Sequence, residues 1–256
     1  MEPTQYTTAP RAGLLARLDA VGAAMAPAAR RLSRGALDLV FPPRCFGCAA
    51  AGSFLCGTCA DSLQRAGPPR CSRCWRVGPW SEVCFRCRME PPPFAALRAA
   101  FVYDGLAREL VHGLKFQGMT ALAEPMAEQM AHAVRAYGLE AGLIVPVPLS
   151  GLRNRLRGYN QAGELARALG RELGVPVSPG ALRRTRHTSP QARSASSAER
   201  RRNVAGAFEA RPEAAGQRIM VVDDVTTTGA TLAACCQALG QAGARSVWAL
   251  AFARED

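Results

Sequence analysis

Eight of the ten cysteines in this 256-residue chain fall into four Cys-x-x-Cys pairs, Cys45/Cys48, Cys56/Cys59, Cys71/Cys74 and Cys84/Cys87. Two residues between thiolates make a tight knuckle that turns both sulfurs toward one metal ion. Two knuckles complete a tetrahedral four-sulfur site, with zinc–sulfur distances of ~2.3 Å. Eight thiolates therefore suit two structural zinc ions. Residues 41–93 hold all eight, and they are rich in proline and poor in aliphatic side chains. A stretch of that kind has too little core to fold on hydrophobic burial, so bound metal would supply much of its folding energy. The spacing leaves the partnership open. Sequential sets are the simplest choice, a crossed arrangement satisfies the same chemistry, and all-thiolate sites also suit iron–sulfur clusters. Four coordinated sulfurs leave no open position, so no catalysis is assigned to them.

The compartment follows from the same cysteines. The first 40 residues show no continuous apolar core followed by a small-residue cleavage site, so they do not read as a secretory signal. A cysteine-rich chain without an export signal points to metal ligation rather than disulfides, and to the cytoplasm. No apolar run approaches the ~18 residues of a membrane span.

Three zones divide the chain. Residues 1–40 are an Ala/Arg-rich leader with helical spacing at Leu14, Leu15, Leu18, Val21 and Met25. Residues 41–93 are the cysteine module, which ends in the stiff Pro91-Pro92-Pro93 linker. Residues 98–256 alternate strand and helix patterns. Strands are predicted at 98–103, 143–147, 219–223 and 246–252, and helices at 121–137, 161–173 and 229–240. In the last helix Cys235 and Cys236 read as buried structural thiols. Lys115 is expected to follow a strand and a short turn, and residues 183–206 read as polar, Arg-rich and mobile. The alternation implies an α/β fold, a mostly parallel sheet with helices on both faces and ligands at the carboxyl ends of its strands.

The chain carries 32 basic and 20 acidic residues, a formal net charge of +12, and Lys115 is its only lysine. Such an excess favours anionic partners: phosphates, pyrophosphate or nucleic acid. Aromatic side chains available for base stacking are few, with Phe116, Tyr159, Trp75 and Trp80 as candidates.

One stretch specifies the anion more closely. Ile219-Met220-Val221-Val222 reads as a buried strand, Asp223 and Asp224 stand at its carboxyl end, and Val225 through Thr231 lead through threonines and Gly229 into a helix. Unpaired N–H groups and the helix dipole make a helix start a seat for phosphate, threonine hydroxyls add donors, and glycine permits close approach. Adjacent carboxylates repel that phosphate but accept hydrogen bonds from sugar hydroxyls, or help hold a hydrated Mg²⁺. The implied ligand is a sugar phosphate.

This string resembles the phosphoribosyl-pyrophosphate (PRPP) motif of type I phosphoribosyltransferases. Three further segments narrow the resemblance to the ComF family: Leu37-Asp38-Leu39-Val40-Phe41-Pro42-Pro43-Arg44-Cys45, His112-Gly113-Leu114-Lys115-Phe116-Gln117-Gly118, and Val145-Pro146-Val147-Pro148-Leu149 followed by Arg157-Gly158-Tyr159-Asn160-Gln161. The resemblance implies a double zinc ribbon ahead of a type I phosphoribosyltransferase-like domain. It implies that Asp223 and Asp224 bind the ribose hydroxyls of PRPP, that Thr227, Thr228, Gly229, Ala230 and Thr231 wrap its 5-phosphate, and that magnesium accompanies it. Arg157, Gly158, Asn160 and Gln161 would belong to the pyrophosphate loop 150–160, where Arg153 and Arg155 add charge. Residues 183–206, with Arg193, Arg200, Arg201 and Arg202, would take the place of the hood over the site. In many transferases an acid stands where this chain has Thr227. The implied role is DNA uptake in natural transformation, with single-stranded DNA and proteins of the uptake machinery as partners. The alternative is an active phosphoribosyltransferase, a glycosyltransferase using a nitrogen nucleophile.

Overall fold

The structure, a computed structural model, describes residues 42–80, 82–149, 157–186 and 197–256, with only the backbone at 197, 198, 200 and 201. The Ala/Arg leader, Arg153, Arg155, Arg193 and the side chains of Arg200 and Arg201 lie outside it.

Four parallel strands form the central sheet in the order β1 (Leu97–Val102), β6 (Ser246–Arg254), β5 (Arg218–Thr226) and β2 (Leu143–Pro146). Apolar residues run unbroken from Ile219 to Val222 in β5 and from Val247 to Ala253 in β6 because both of their faces are covered. One face packs on α3 (Gly105–Phe116), α4 (Ala123–Ala136) and α5 (Gln161–Leu173), through Leu110, Leu114, Met126, Met130, Leu165 and Leu169. The other packs on α7 (Ala230–Gln241), through Leu232, Cys235, Cys236 and Leu239, and both cysteines are fully buried as the sequence predicts.

One expectation changes. Residues 105–116 form the helix α3, which places Lys115 in its last turn rather than after a strand and turn. Leu106, Leu110, Val111 and Leu114 carry the helical spacing. Gly113 sits inside α3 because a Cβ there would stand 2.9 Å from both Leu122 Cδ1 and Phe46 Cζ. The polar, Arg-rich stretch 183–206 carries regular structure in part. It overlaps β3 (Leu182–Arg184) and contains α6 (Ser197–Val204), and β3 pairs antiparallel with β4 (Phe208–Ala210). Leu182 and Phe208 anchor this pair beside α7.

The cysteines form two sets in sequence order: Cys45, Cys48, Cys56 and Cys59, then Cys71, Cys74, Cys84 and Cys87. Within each set the sulfurs lie within 4.8 Å of one another. Two sulfurs on one tetrahedral zinc at ~2.3 Å are separated by about 3.8 Å. The Cys48–Cys56 and Cys74–Cys84 sulfurs stand 3.7 and 3.8 Å apart. The crossed arrangement is excluded, and both sets fit structural zinc. Short helices, α1 (Gly57–Asp61) and α2 (Phe85–Met89), start directly after Cys56 and Cys84.

Local electrostatics suit a cation. Burial pushes the Cys45 thiol up, but the N–H groups of Cys56, Cys48 and Gly47 pull it down to about 6; burial and the N–H groups of Cys74, Cys84 and Arg73 act likewise on Cys71, which also falls to about 6. Hydrogen bonding to Cys45 and Cys56 pushes Cys59 up to about 12. One thiolate in each set thus forms readily and opposes the ionisation of its neighbours, a conflict that a divalent cation removes.

The ribbons are built onto the sheet. Between them, Ala66 N–H donates to Ala100 O at 3.0 Å and Val102 N–H donates to Gln64 O at 2.8 Å, which pairs the exposed edge of β1. Arg98 stacks on Trp75 at 4.3 Å and donates to Ser72 O at 2.8 Å. Arg70 holds Asp256 in a fork, at 2.7 and 2.5 Å.

Two expected outcomes follow from these contacts. Elemental analysis of purified protein should find about two zinc ions per chain, and Cys84→Ser should remove one while leaving the other; iron, or folded protein without metal, would refute the assignment. Asp256→Ala strips the fork from the buried Arg70 and should cost about 1.5–3 kcal/mol in urea unfolding, the range for hydrogen bonds to charged groups; an unchanged midpoint would show that the fork contributes nothing.

Candidate phosphate site

The strand β5 runs past both carboxylates to Thr226, three residues beyond the predicted end at Asp223. Its pairing with β6 continues through Val225↔Ala253 and Thr226↔Arg254, so the acids are held in a fixed ladder rather than at a loose strand end. Thr227, Thr228 and Gly229 then turn the chain into α7. Gly229 has φ +77°, the left-handed region that glycine enters without strain, and a Cβ there would lie 3.3 Å from Leu97 Cδ1. The Thr228 hydroxyl accepts from Ala230 N–H at 3.3 Å, and Gly229 O accepts from Ala233 N–H at 2.8 Å, which starts the helix. The first N–H groups of α7 have no acceptor within the helix and face outward from its start.

The two carboxylates are not equivalent. Asp224 is buried; its Oδ1 accepts from Val225 N–H at 2.6 Å and pairs with Lys115 Nζ at 2.9 Å, while its Oδ2 is buried without a hydrogen-bond partner. Burial and the adjacent charge of Asp224 push the Asp223 carboxyl up to about 8, against the pull of Lys115. The neighbouring acids thus carry less negative charge at neutral pH than two free carboxylates, which reduces their repulsion of a phosphate nearby. The sequence could not supply the Lys115–Asp224 pair, because 109 positions of chain separate the partners.

Among the described residues, two adjoining cavities open on the loop. One, of about 120 Å³, lies between Thr228, Gly229 and Ala230 and the second ribbon with its proline linker; the other, of about 400 Å³, reaches Thr227, Glu255 and Asp256. Arg76 and Arg254 line both. Neither Asp223 nor Asp224 lines them, nor do the four residues of the 157–161 signature.

That signature has visible local work. Asn160 caps α5: its Oδ1 accepts from Ala162 N–H at 3.1 Å and its Nδ2 donates to Val147 O at 3.0 Å, which ties the helix start to the end of β2. Gly158 has φ +76°. The Tyr159 hydroxyl donates to Leu114 O, and Arg157 lies over the Phe116 ring at 4.9 Å. Gln161 is buried, with its Oε1 unpartnered.

Among the stacking candidates, Trp75 is buried against Arg98, and Trp80 packs on the second cysteine set. Phe116 is 62% exposed, and Phe85, which sequence reasoning missed, is 75% exposed on α2. Alternation of apolar and polar residues is too short in α2 to have signalled it. No helix of the described residues is long and apolar enough to cross a membrane.

Comparison with known proteins agrees with this architecture. Residues 36–88 match the double zinc ribbon domain family and residues 122–255 the phosphoribosyl transferase domain family. The chain is 33% identical over 224 residues to the DNA utilization protein YhgH of Escherichia coli K12, covering 83% of this chain and 98% of the relative. It is 31% identical over 225 residues to Competence protein F of Haemophilus influenzae, covering 82% and 97%. Among solved structures, the glutamine PRPP amidotransferase of B. subtilis superposes with a TM-score of 0.36 at 19% identity, over 51% of this chain and 26% of that one. With a zinc-ribbon pair docked on a phosphoribosyl transferase domain, and relatives of this identity along most of its length, the chain belongs to the ComF family.

Proposed function

We propose that this protein binds PRPP with Mg²⁺ at the β5–α7 turn and acts in DNA uptake, handling single-stranded DNA in the cytoplasm together with proteins of the uptake machinery. The observation that carries the ligand is the turn itself: a left-handed Gly229 between a rigid acidic strand and the N-terminus of α7. Thr227, Thr228, Gly229, Ala230 and Thr231 would wrap the 5-phosphate. Asp223 and Asp224 would accept from the ribose hydroxyls and hold the hydrated cation, for which the unpartnered Asp224 Oδ2 is a fitting donor. Bound magnesium would neutralise part of the pyrophosphate charge. The uptake role is supported by the relatives' names, DNA utilization protein and Competence protein F. The net charge of +12 suits a polyanion, and the exposed Phe116 and Phe85 offer stacking faces. A neutral Thr227, where many transferases have an acid, has no carboxylate to move a proton, and this favours binding over transfer.

Calorimetry should show PRPP binding that requires Mg²⁺, weakened roughly ten- to hundred-fold in Asp223→Asn/Asp224→Asn, as expected for lost charged hydrogen bonds. Absence of binding by zinc-loaded wild type would remove the ligand. Single-stranded DNA should bind with a steep salt dependence: four phosphate contacts would cost about fifty-fold between 50 and 200 mM salt. A flat profile, or release of pyrophosphate from PRPP with an added base, would favour the transferase.

A further inference from the structure

Arginines of the ribbon-to-sheet junction divide into two kinds. Arg70 and Arg98 are committed: one forks Asp256 and the other stacks on Trp75. Arg254, only 4% exposed, donates through Nη1 to Cys74 O at 3.0 Å. Its Nε lies 3.4 Å from Asp256 Oδ1 and makes no hydrogen bond. Arg76 and Arg86 are different. Both are half-buried, and neither guanidinium forms a hydrogen bond or ion pair among the described residues. Both line the cavity whose opposite wall is Thr228, Gly229 and Ala230. Glu90 is the one carboxylate in that lining, against three guanidiniums.

The Arg76 and Arg86 guanidiniums reach the open cavity without a protein acceptor, so their donors are available to an anion that enters it. We propose that the second zinc ribbon is the other wall of the phosphate site, with Arg76 and Arg86 closing on the phosphate that residues 227–231 hold from below. The proposal rests on the reading of that turn as a phosphate seat. It gives the ribbon a part in ligand binding beyond folding. Arg76 follows the ligand Cys74 by two residues, and Arg86 stands between Cys84 and Cys87. Coordination of the second cysteine set therefore fixes where both guanidiniums begin, and Arg254, bonded to Cys74 O, keeps that knuckle against the end of β6. The ligand class is a phosphate monoester or a larger phosphorylated molecule that presents one. The fork geometry of arginine, with two donors per oxyanion, suits it better than a lone ammonium would.

The test uses the full zinc-loaded chain and two probes, PRPP with Mg²⁺ and inorganic phosphate, followed by calorimetry with zinc content as the check on folding. Arg76→Gln and Arg86→Gln should each weaken both probes about tenfold at two zinc ions per chain. Arg88→Gln, on the exposed side of α2, should leave both affinities unchanged. Where Arg86→Gln loses zinc, Arg86→Lys is read instead and should retain zinc with an intermediate affinity. Wild-type affinity in Arg76→Gln and Arg86→Gln, with PRPP still bound by the wild type, would overturn the ribbon wall and leave the phosphate seat standing. Failure of the wild type to bind either probe would overturn the seat and the wall with it.

Discussion

Four thiols held within 4.8 Å of one another cannot all ionise unless a cation shares their charge. That constraint is met twice in this chain, and much of the rest is arranged around it. A knuckle is rigid only once its metal is bound. Its outward groups, the Ser72 and Cys74 carbonyls and the Trp75 ring, then become fixed acceptors and a fixed platform. Arg98 and Arg254 approach them from the sheet. The ribbons are therefore extensions of the β1 and β6 ends of the sheet, not an appendage on a linker. The backbone of residues 64–66 completes this by pairing the edge of β1, which would otherwise offer unpaired N–H and C=O groups to any passing strand.

The proposed phosphate seat depends on a second rigid element. In the middle of the sheet, β5 is paired on both sides, to β6 and β2, and it carries the ladder past Asp223 and Asp224 before the turn begins. Two adjacent acids in such a place are expensive. Lys115 offsets part of the cost from the last turn of α3, and burial keeps Asp223 close to its protonated form. The cost is the usual mark of a site kept for a ligand rather than for stability, since apolar residues at both positions would pack at less expense.

What joins the two rigid elements is the position of their ends. The start of α7 and the second ribbon meet at the carboxyl edge of the sheet, where open α/β sheets present their crevices. Residues 91–93, three prolines in succession, span the gap with little conformational entropy to lose, and they line the same cavity. Phe85 on α2 lies in the same ribbon, while Phe116 ends α3, the helix of Lys115.

The sequence by itself determined the cysteine knuckles, the sheet and the turn. Cys-x-x-Cys spacing needs only local geometry to aim two sulfurs at one ion. The helix of residues 161–173 was legible to the residue from its apolar face at Ala162, Leu165, Ala166, Leu169 and Leu173. The apolar run into Asp223-Asp224 and the threonine turn likewise act through neighbours in the chain. Tertiary structure alone decided the rest. It chose sequential over crossed cysteine sets, since four pairs satisfy either until distances are fixed. It turned residues 105–116 into a helix whose lysine serves an acid on a distant strand, and it settled the order β1-β6-β5-β2. It also brought Arg76 and Arg86 into one cavity with Thr228, Gly229 and Ala230. Charge pairing and cavity walls are made between residues far apart in the chain, and no local periodicity records which of thirty-two basic side chains will be brought to a given place.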